Sequence, residues 1–350
     1  MISRISQTFH RSNTKHHLLA TIHTVAISRE IPDSFIDAIS FHYDQSSSSS
    51  TAATAASSSP EEDVVSLIKS REQHTTYLNI LRQHVPQLIC VPPIESHPDC
   101  LFVEDAMVSI QDTVVLTRMG HTSRRGEVDE LMRGVLYEEL AGKVRNVYDM
   151  NNNTVVDDDD QKMIVSNNSS SSGSCCDGGD VLYTGRHLFV GITDRTNQEG
   201  FQYLKHVFAH HHNLIDAADV IPVPMMSMPG QDGRSSSSSG GGGVLHLKSA
   251  VTHIDEETLL IPEGHFGDVL ADAMKVTERG YTTIRLPDVL SCNAVVVNGH
   301  VLAQDAPCNV SKRRIEEACR ERNLGLTFVD TSELAKKDAA LTCCSVLLSV

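Results

Sequence analysis

The amino-acid sequence predicts an α/β fold with mixed sheets. Segments with the period of strands alternate with segments with the period of helices, and several strand-like segments come in neighbouring pairs that resemble hairpins. Single strands alternating with helices would instead favour a doubly wound parallel sheet. Once low-complexity sequence and an N-terminal extension are set aside, about 280 residues remain, which is enough to bury a sizeable core.

Hydrophobic periodicity places the elements along the chain. The predicted strands are residues 101–110, 113–117, 258–261, 294–304 and 345–350, with a pair of strands over 181–192 that turns at Gly185. The predicted helices are residues 127–143, 196–211 and 311–321. In the first of these helices the apolar residues, among them Val128, Met132 and Leu136, lie on one face.

Three low-complexity segments interrupt this pattern, at residues 46–60, 151–174 and 233–243. Their Ser, Asn, Asp and Gly content cannot bury apolar surface, so we predict disordered insertions within a single domain over residues 21–350. Residues 1–20 are predicted to be a disordered extension. We expect a cytoplasmic location. A mitochondrial location is the alternative, because residues 1–29 contain no Asp or Glu and resemble a mitochondrial transit peptide.

Composition excludes several classes of protein. The chain has 45 acidic and 29 basic residues, a net charge of −16, which disfavours general binding of nucleic acid. No apolar run approaches the roughly 18 residues that a membrane-spanning helix needs. The nine cysteines include no C-x-x-C pair and suggest a reducing compartment. The phosphate-binding GxxxxGK[ST], the zinc-binding HExxH and the nucleophile-bearing GxSxG are all absent.

Four short segments concentrate polar groups among apolar neighbours. They are PDCLFVED with Asp99, Glu104 and Asp105, DGGDVL beginning at Asp177, VLHLKS with His246, and LTCCSVL with Cys343 and Cys344. Each segment alone has a plain structural interpretation: surface carboxylates at a strand end, a common glycine turn, a core histidine, or an inert buried thiol. If Cys343 and Cys344 lie on a strand, only one of the two thiols can face a site.

Together the four segments have the composition of a catalytic site. A thiol nucleophile needs a histidine to transfer protons, and the histidine needs a carboxylate to orient it. Further carboxylates would hold a cationic substrate, and a guanidinium group is permanently charged and matched to paired carboxylates. A bound cation would also lower the pKa of a neighbouring thiol.

These segments resemble the dimethylarginine dimethylaminohydrolases (DDAH), of the guanidine-modifying superfamily that includes the arginine deiminases. The matching stretches run in the order of that family: PDCLFVEDAMV, TSRRGEVDELM, DGGDVLYTGRHLFVGITDRTNQEG, LHLKS, LPDVLSCNAVVVNGHVL and LTCCSVL. The resemblance implies a five-bladed αβ-propeller of ββαβ-type modules (the pentein fold) with its site at the central axis. It also implies hydrolysis of Nω-methylated arginines to citrulline and a methylamine.

The resemblance also assigns roles residue by residue. The implied nucleophile is Cys343, the general acid and base is His246, and the carboxylate beside that histidine is Asp177. The substrate-binding residues that it implies are Asp99, Glu104, Asp105, Arg124 and Arg195. The chain departs from the family pattern in two ways. It carries the three insertions, of which the first falls in the substrate lid, and it has Lys337 where the family has an apolar residue.

No cofactor is expected, although a zinc ion held by Cys343 and His246 could inhibit the enzyme. The expected partner is a small methylated arginine, with neither nucleic acid nor membrane, and the protein is expected to be a monomer or a homodimer. Two alternatives stay open. One is a deiminase of arginine or agmatine, and the other is a catalytically weak guanidine-binding regulatory protein.

Overall fold

A computed structural model describes residues 22–39, 64–151, 154–156, 163–164, 173–225 and 245–350. The N-terminal extension predicted at residues 1–20 and most of the three predicted insertions lie outside the described residues. The single domain over residues 21–350 therefore stays a prediction, and the structure describes the segments of it that lie between the insertions.

The described chain contains seventeen strands and six α-helices. The strands are β1 Val25–Arg29, β2 Gln87–Val91, β3 Met107–Ile110, β4 Thr113–Leu116, β5 Asn146–Asp149, β6 Thr154–Val156, β7 Met163–Ile164, β8 Val181–Tyr183, β9 Leu188–Ile192, β10 Val220–Pro224, β11 Thr252–Asp255, β12 Thr258–Pro262, β13 Thr282–Leu286, β14 Ala294–Val297, β15 His300–Gln304, β16 Gly325–Val329 and β17 Val346–Leu348. The helices are α1 Leu67–Leu81, α2 Glu130–Gly134, α3 Gln198–Lys205, α4 Gly264–Ala273, α5 Asn309–Glu321 and α6 Ser332–Ala335.

The strands form five small sheets that repeat one ββαβ pattern. In module 3, for example, β8 pairs with β9 antiparallel, and β9 pairs with β10 parallel across the connecting helix α3. Modules 2, 4 and 5 have the same order, as β3-β4-β5, β11-β12-β13 and β14-β15-β16. Module 1 takes its antiparallel strand from the C-terminal end of the chain, as β17-β1-β2, so the last strand completes the first module. This arrangement is the five-bladed propeller that the resemblance to the family implies.

The hydrophobic core lies between neighbouring modules, in five clusters that form a ring in the described part of the chain. Strand alternation explains this arrangement, because the middle strand of each module is buried on both faces. In β12, Leu259 and Ile261 pack toward module 3, whereas Leu260 packs toward module 5. The ring closes between modules 1 and 5, where Ala26 and Leu81 share a cluster with Val295 and Val329.

The first strand of each module lines a central cavity of about 510 Å³. Immediately before that strand, every module has a short 3-10 turn. The five turns are Val103–Ala106, Gly178–Asp180, Leu247–Ser249, Leu290–Cys292 and Thr342–Cys344. Because the five first strands lie side by side around one axis, these turns converge at the same end of the cavity.

The structure corrects two predicted elements. The strand predicted over residues 101–110 begins only at Met107, because the preceding Val103–Ala106 turn buries Glu104 and Asp105 together, which strand alternation would prevent. The helix predicted over residues 127–143 is shorter. It comprises α2 and a π-helical turn, Val135–Glu139, since Glu127 still belongs to a 3-10 turn and pairs with Arg124.

The other predicted elements are found, with ends that shift by a few residues. The predicted strand over residues 294–304 is a hairpin of β14 and β15. None of the helices in the described segments has the length and apolar composition to cross a bilayer.

Candidate active site

Five of the predicted site residues lie in or directly before four of the five 3-10 turns. Glu104 and Asp105 lie within the turn of module 2, Asp177 directly precedes the turn of module 3, and His246 directly precedes the turn of module 4. Cys343 lies in the turn that precedes β17 of module 1. These side chains are all buried, and the propeller brings together residues that are far apart in the sequence.

The His246 imidazole lies between two carboxylates. Its Nε2 is 3.0 Å from Oδ2 of Asp177, and its Nδ1 is 3.8 Å from Oδ1 of Asp105. Burial by itself lowers the pKa of His246, but the charges of Asp105, Asp177 and Asp180 outweigh burial and raise this pKa to about 9. The imidazole is therefore positively charged at neutral pH and can donate a proton.

The two glycines after Asp177 are required for this close packing. A Cβ on Gly179 would lie 2.7 Å from both Asp105 Oδ1 and His246 Nδ1, and a Cβ on Gly178 would lie 2.0 Å from the Glu104 carbonyl oxygen. Neither glycine has a positive φ. The absence of a Cβ at both positions therefore serves the close approach of neighbouring turns and not an unusual backbone conformation.

The Glu104 carboxylate connects three turns. Its Oε1 forms a 2.7 Å ion pair with Nζ of Lys248, and its Oε2 accepts a hydrogen bond from the Thr342 hydroxyl at 2.9 Å. Burial raises the pKa of Glu104, and Lys248 and Thr342 partly offset that rise. Asn293, directly before β14, extends the network by donating to the Lys248 carbonyl oxygen and to Thr342 Oγ1, each at 2.9 Å.

The Cys343 thiol lies within the electrostatic influence of the Glu104 and Asp105 carboxylates. Burial and then the charges of Glu104 and Asp105 raise the pKa of Cys343 well above that of a free thiol. The thiol of the free protein is therefore protonated at neutral pH. The argument from strand alternation for choosing between Cys343 and Cys344 is wrong, because both residues lie in a 3-10 turn and both are buried.

Arg124 is buried within a network of acidic residues. Its Nη1 is 2.6 Å from Asp105 Oδ2, and its Nε and Nη2 donate to the two carboxylate oxygens of Glu127 at 2.8 and 2.7 Å. Burial raises the pKa of Glu127 to about 7, against the opposing effect of Arg124. Arg124 thus orients Asp105, and a contact with the carboxylate of a substrate would require one of these ion pairs to exchange.

Asp99 and Arg195 are buried on the same side of the site. Burial raises the pKa of Asp99, and the charges of Arg124 and Arg195 oppose that rise. Asp99 Oδ1 also accepts a 3.0 Å hydrogen bond from the backbone amide of Ile39. The Lys337 amine donates to the carbonyl oxygen of Ala38, the residue before Ile39, at 3.1 Å. Lys337 therefore contacts the chain segment that binds Asp99.

One group of metal-binding atoms comes together in the described segments. Asp105, Asp177 and His246 place one donor atom each within 4.8 Å of the others, a set that a zinc ion accepts. The Cys343 thiol is not part of this three-residue group, and the inhibitory zinc site expected on Cys343 and His246 stays a prediction. The raised pKa of His246 disfavours metal binding, because a protonated imidazole has no free lone pair.

The sequence pattern assigns no role to five residues that surround the site: Lys248, Thr342, Asn293, Glu127 and Asp180. Lys248 and Thr342 contact Glu104, and Glu127 contacts Arg124. Asn293 donates to Lys248 and Thr342, and Asp180 accepts from the amide of Leu247. A polar residue stands directly before the first strand in three of the five modules: Asp180 before β8, Asn293 before β14 and Ser345 before β17. This partial repeat is a sequence signal for the end of the propeller where polar side chains converge.

Comparisons with known proteins agree with this geometry. The chain is 25% identical over 280 residues to the N(G),N(G)-dimethylarginine dimethylaminohydrolase of Pseudomonas aeruginosa, covering 79% of this chain and 88% of that protein. It is 28% identical over 277 residues to the Streptomyces coelicolor protein of the same name, covering 79% and 85%. No family model matches the chain.

Solved structures show the same fold. The Pseudomonas aeruginosa enzyme in complex with citrulline superposes with a TM-score of 0.66 at 21% identity, covering 93% of this chain and all of that one. The N-terminal domain of ArgZ, a cyanobacterial arginine dihydrolase bound to its substrate, has a TM-score of 0.59 at 17% identity, covering 93% and 97%.

The described chain thus has the fold of these solved structures. In sequence it is similar to the dimethylarginine dimethylaminohydrolases over most of its length, which confirms the resemblance given in the sequence analysis. Both relatives are named for an activity of the predicted enzyme class, hydrolases that act on C–N bonds in linear amidines, and this agreement confirms the predicted class.

Proposed function

We propose that the protein hydrolyses Nω,Nω-dimethyl-L-arginine and Nω-monomethyl-L-arginine to citrulline and a methylamine. The observation that carries this proposal is the position of His246 between Asp105 and Asp177, at the end of the propeller where the Cys343 turn is hydrogen-bonded to Glu104. A buried acid–base group, a thiol and several carboxylates there suit attack on a cationic carbon. The names of the two sequence relatives support the choice of substrate.

The electrostatics suggest how the nucleophile forms. In the free protein, burial and two carboxylates hold a proton on Cys343. A guanidinium bound by Asp99, Glu104 and Asp105 would supply the positive charge that lowers the pKa of the thiol. The thiol then releases its proton to solvent, and the thiolate attacks the guanidinium carbon, forming a C–S bond.

His246 provides the proton for the first cleavage. The imidazolium protonates the methylated nitrogen, the C–N bond breaks, and a neutral amine leaves behind a covalent thiouronium cation on Cys343. The neutral imidazole then accepts a proton from water, whose oxygen attacks the same carbon. Cleavage of the C–S bond returns the thiol with a proton from the adduct and releases citrulline, and the amine takes up a proton from solvent.

A second candidate is hydrolysis of arginine or agmatine. The structural similarity to ArgZ, an arginine dihydrolase, favours it, since the same fold in that protein binds arginine. A catalytically weak guanidine-binding protein is the remaining alternative, against which the complete set of Cys343, His246 and carboxylates argues.

Release of the ureido product from a panel of guanidines would test the proposal; this product is citrulline from the arginines and N-carbamoylputrescine from agmatine. The panel contains asymmetric dimethylarginine, monomethylarginine, arginine and agmatine, and Cys343→Ser serves as the inactive control. Turnover of the methylated substrates, lost in the control, is the expected result. Release from arginine or agmatine alone would assign the protein to the second candidate function. Binding of guanidines without any turnover would assign it to the third.

A further inference from the structure

His121 is an exposed residue beside the site that has no role in the proposed reaction. It directly precedes the 3-10 turn Thr122–Glu127, which carries Arg124. The carbonyl oxygen of His121 accepts a 3.1 Å hydrogen bond from the backbone amide of Arg124. The backbone therefore fixes the position of His121 relative to one of the two arginines that the resemblance implies as substrate contacts.

Gly120 fixes the other side of His121. Its amide donates a 2.8 Å hydrogen bond to Asp177 Oδ1. A Cβ on Gly120 would lie 2.4 Å from the carbonyl oxygen of Arg195 and 2.5 Å from its Cα, so this glycine packs directly against the Arg195 backbone. His121 thus follows a residue that is bonded to one site residue and packed against another, and it lies at the rim of the site.

A hydrogen bond also orients the His121 imidazole. Its Nδ1 is 2.6 Å from the hydroxyl oxygen of Ser123. The hydroxyl can donate to Nδ1, which leaves the proton of the neutral ring on Nε2. Partial desolvation and then the charge of Arg195 lower the pKa of His121, so the ring is neutral at neutral pH. The ring is therefore held near the Arg195 charge and can offer one N–H donor.

Arg124 already has partners on all three of its nitrogens. Its Nε and Nη2 donate to Glu127, and its Nη1 donates to Asp105. Nη2 also lies 3.4 Å from the carbonyl oxygen of Asp99. A carboxylate that binds at Arg195 could take a second hydrogen bond from Arg124 only if one of these contacts were broken. His121, beside Arg195, can supply that hydrogen bond without breaking an ion pair.

We propose that His121 is a specificity-determining residue, whose Nε2–H donates to the α-carboxylate of the substrate beside Arg195. The inference rests on the proposed function for the kind of substrate, an amino acid that carries a guanidinium group. Glu104 and Asp105, which would hold the guanidinium, are buried, whereas His121 is exposed. This order places the amino-acid end of the substrate toward the rim. There, an imidazole donor favours amino acids over the corresponding decarboxylated amines.

Binding of two ligands that differ only in the carboxylate tests the inference. They are asymmetric dimethylarginine and its decarboxylated counterpart, Nω,Nω-dimethylagmatine. Isothermal titration calorimetry on Cys343→Ser measures both Kd values without turnover. Adding His121→Ala should raise the Kd of dimethylarginine about 10-fold, the effect of losing a hydrogen bond to a charged group, and that of dimethylagmatine less than about two-fold. His121→Gln keeps an N–H donor and should restore most of the affinity.

His97→Ala is the matched control. His97 Nδ1 donates to the Ser123 carbonyl oxygen at 2.9 Å, so this substitution perturbs the same turn and leaves the His121 imidazole in place. Any loss of affinity in His97→Ala should be equal for the two ligands. Equal losses for both ligands in His121→Ala would overturn the inference. A loss in His97→Ala as selective as that in His121→Ala would also overturn it, because the shape of the turn would then explain the effect.

The outcomes for this inference and for the proposed function are distinguishable. If His121→Ala selectively weakens dimethylarginine in a protein that releases no citrulline, the inference stands and the proposed function fails. If the protein turns over dimethylarginine and His121→Ala leaves its KM unchanged, the proposed function stands and the inference fails. No binding of dimethylarginine to either the unmodified protein or Cys343→Ser would overturn the inference, since no carboxylate would then reach His121.

Discussion

The carboxylate of Glu104 accepts a 2.9 Å hydrogen bond from the hydroxyl of Thr342, a residue 238 positions later in the chain. Thr342 directly precedes Cys343, so this bond joins the acidic turn of module 2 to the turn that carries the thiol. The same hydroxyl accepts from Asn293 Nδ2. The position of the thiol is thereby coupled to a carboxylate that faces it and to the module that precedes it.

Thr342→Val tests this coupling. Valine has a similar shape but no hydroxyl, so it leaves Glu104 Oε2 and Asn293 Nδ2 each without one partner. We expect the free energy of unfolding to fall by about 1–3 kcal/mol, and kcat to fall more than KM changes. Urea denaturation and citrulline release measure the two effects.

Thr331→Val is the control for Thr342→Val. Thr331 is also buried, and its hydroxyl donates to Gln304 Oε1 away from the site. It should lower stability without lowering kcat. Equal effects of both variants on kcat would show that the Thr342 hydroxyl contributes stability alone.

Serine substitutions distinguish the two adjacent thiols. We expect Cys343→Ser to abolish turnover and Cys344→Ser to retain most of it. The charges of Glu104 and Asp105 raise the pKa of Cys343. The charge of Glu104 raises the pKa of Cys344, whose thiol donates to the Ala340 carbonyl oxygen. Mass spectrometry of a trapped covalent adduct locates the nucleophile. An adduct on Cys344 would transfer the role to that residue.

The two arginines implied as substrate contacts should behave differently. Arg124→Gln breaks a buried pair with Asp105 and Glu127, and we expect it to cost about 3–5 kcal/mol of stability. Arg195→Gln should instead raise KM for dimethylarginine more than for agmatine, since agmatine lacks a carboxylate for the arginine to bind. Equal KM increases for both substrates would remove Arg195 from recognition of the carboxylate.

Competition between substrates measures selectivity. A site built for arginine binds every guanidinium hydrogen, and methylation then leaves an acceptor unpaired. A site with room for methyl groups holds arginine loosely. We expect kcat/KM for asymmetric dimethylarginine to exceed that for arginine by at least about 10-fold, or 1.4 kcal/mol. Equal or faster turnover of arginine in the same tube would favour a deiminase.

The low-complexity insertions should contribute little to stability. Deleting residues 235–243, or shortening the stretch at residues 46–59, is expected to change the free energy of unfolding by less than about 1 kcal/mol, because loop-closure entropy varies slowly with length. Thermal denaturation of the two shortened proteins measures this. A large loss of melting temperature would show that these residues make stabilising contacts.

The segments that converge on the site could be found in the sequence because each interrupts an apolar strand with polar residues. Asp177, His246 and Cys343 were recognised in this way, and the family resemblance assigned their roles. Lys248 and Thr342 stand in the same segments, but the sequence pattern assigns them no role. Their shared contact with Glu104 arises only because three modules meet at one axis.

Local sequence determined the repeating α/β elements and the residue types of the site, since periodicity and polar interruptions are properties of neighbouring residues. The tertiary structure decided which groups meet. It placed Arg124 against Asp105 and Glu127 instead of leaving it open to a ligand, and it brought Asp105, Asp177 and His246 together as one group of metal-binding atoms. It also raised the pKa of His246 by surrounding the imidazole with carboxylates from two other turns. Burial and Coulomb interactions depend on distances between modules, and no local pattern in the chain records those distances.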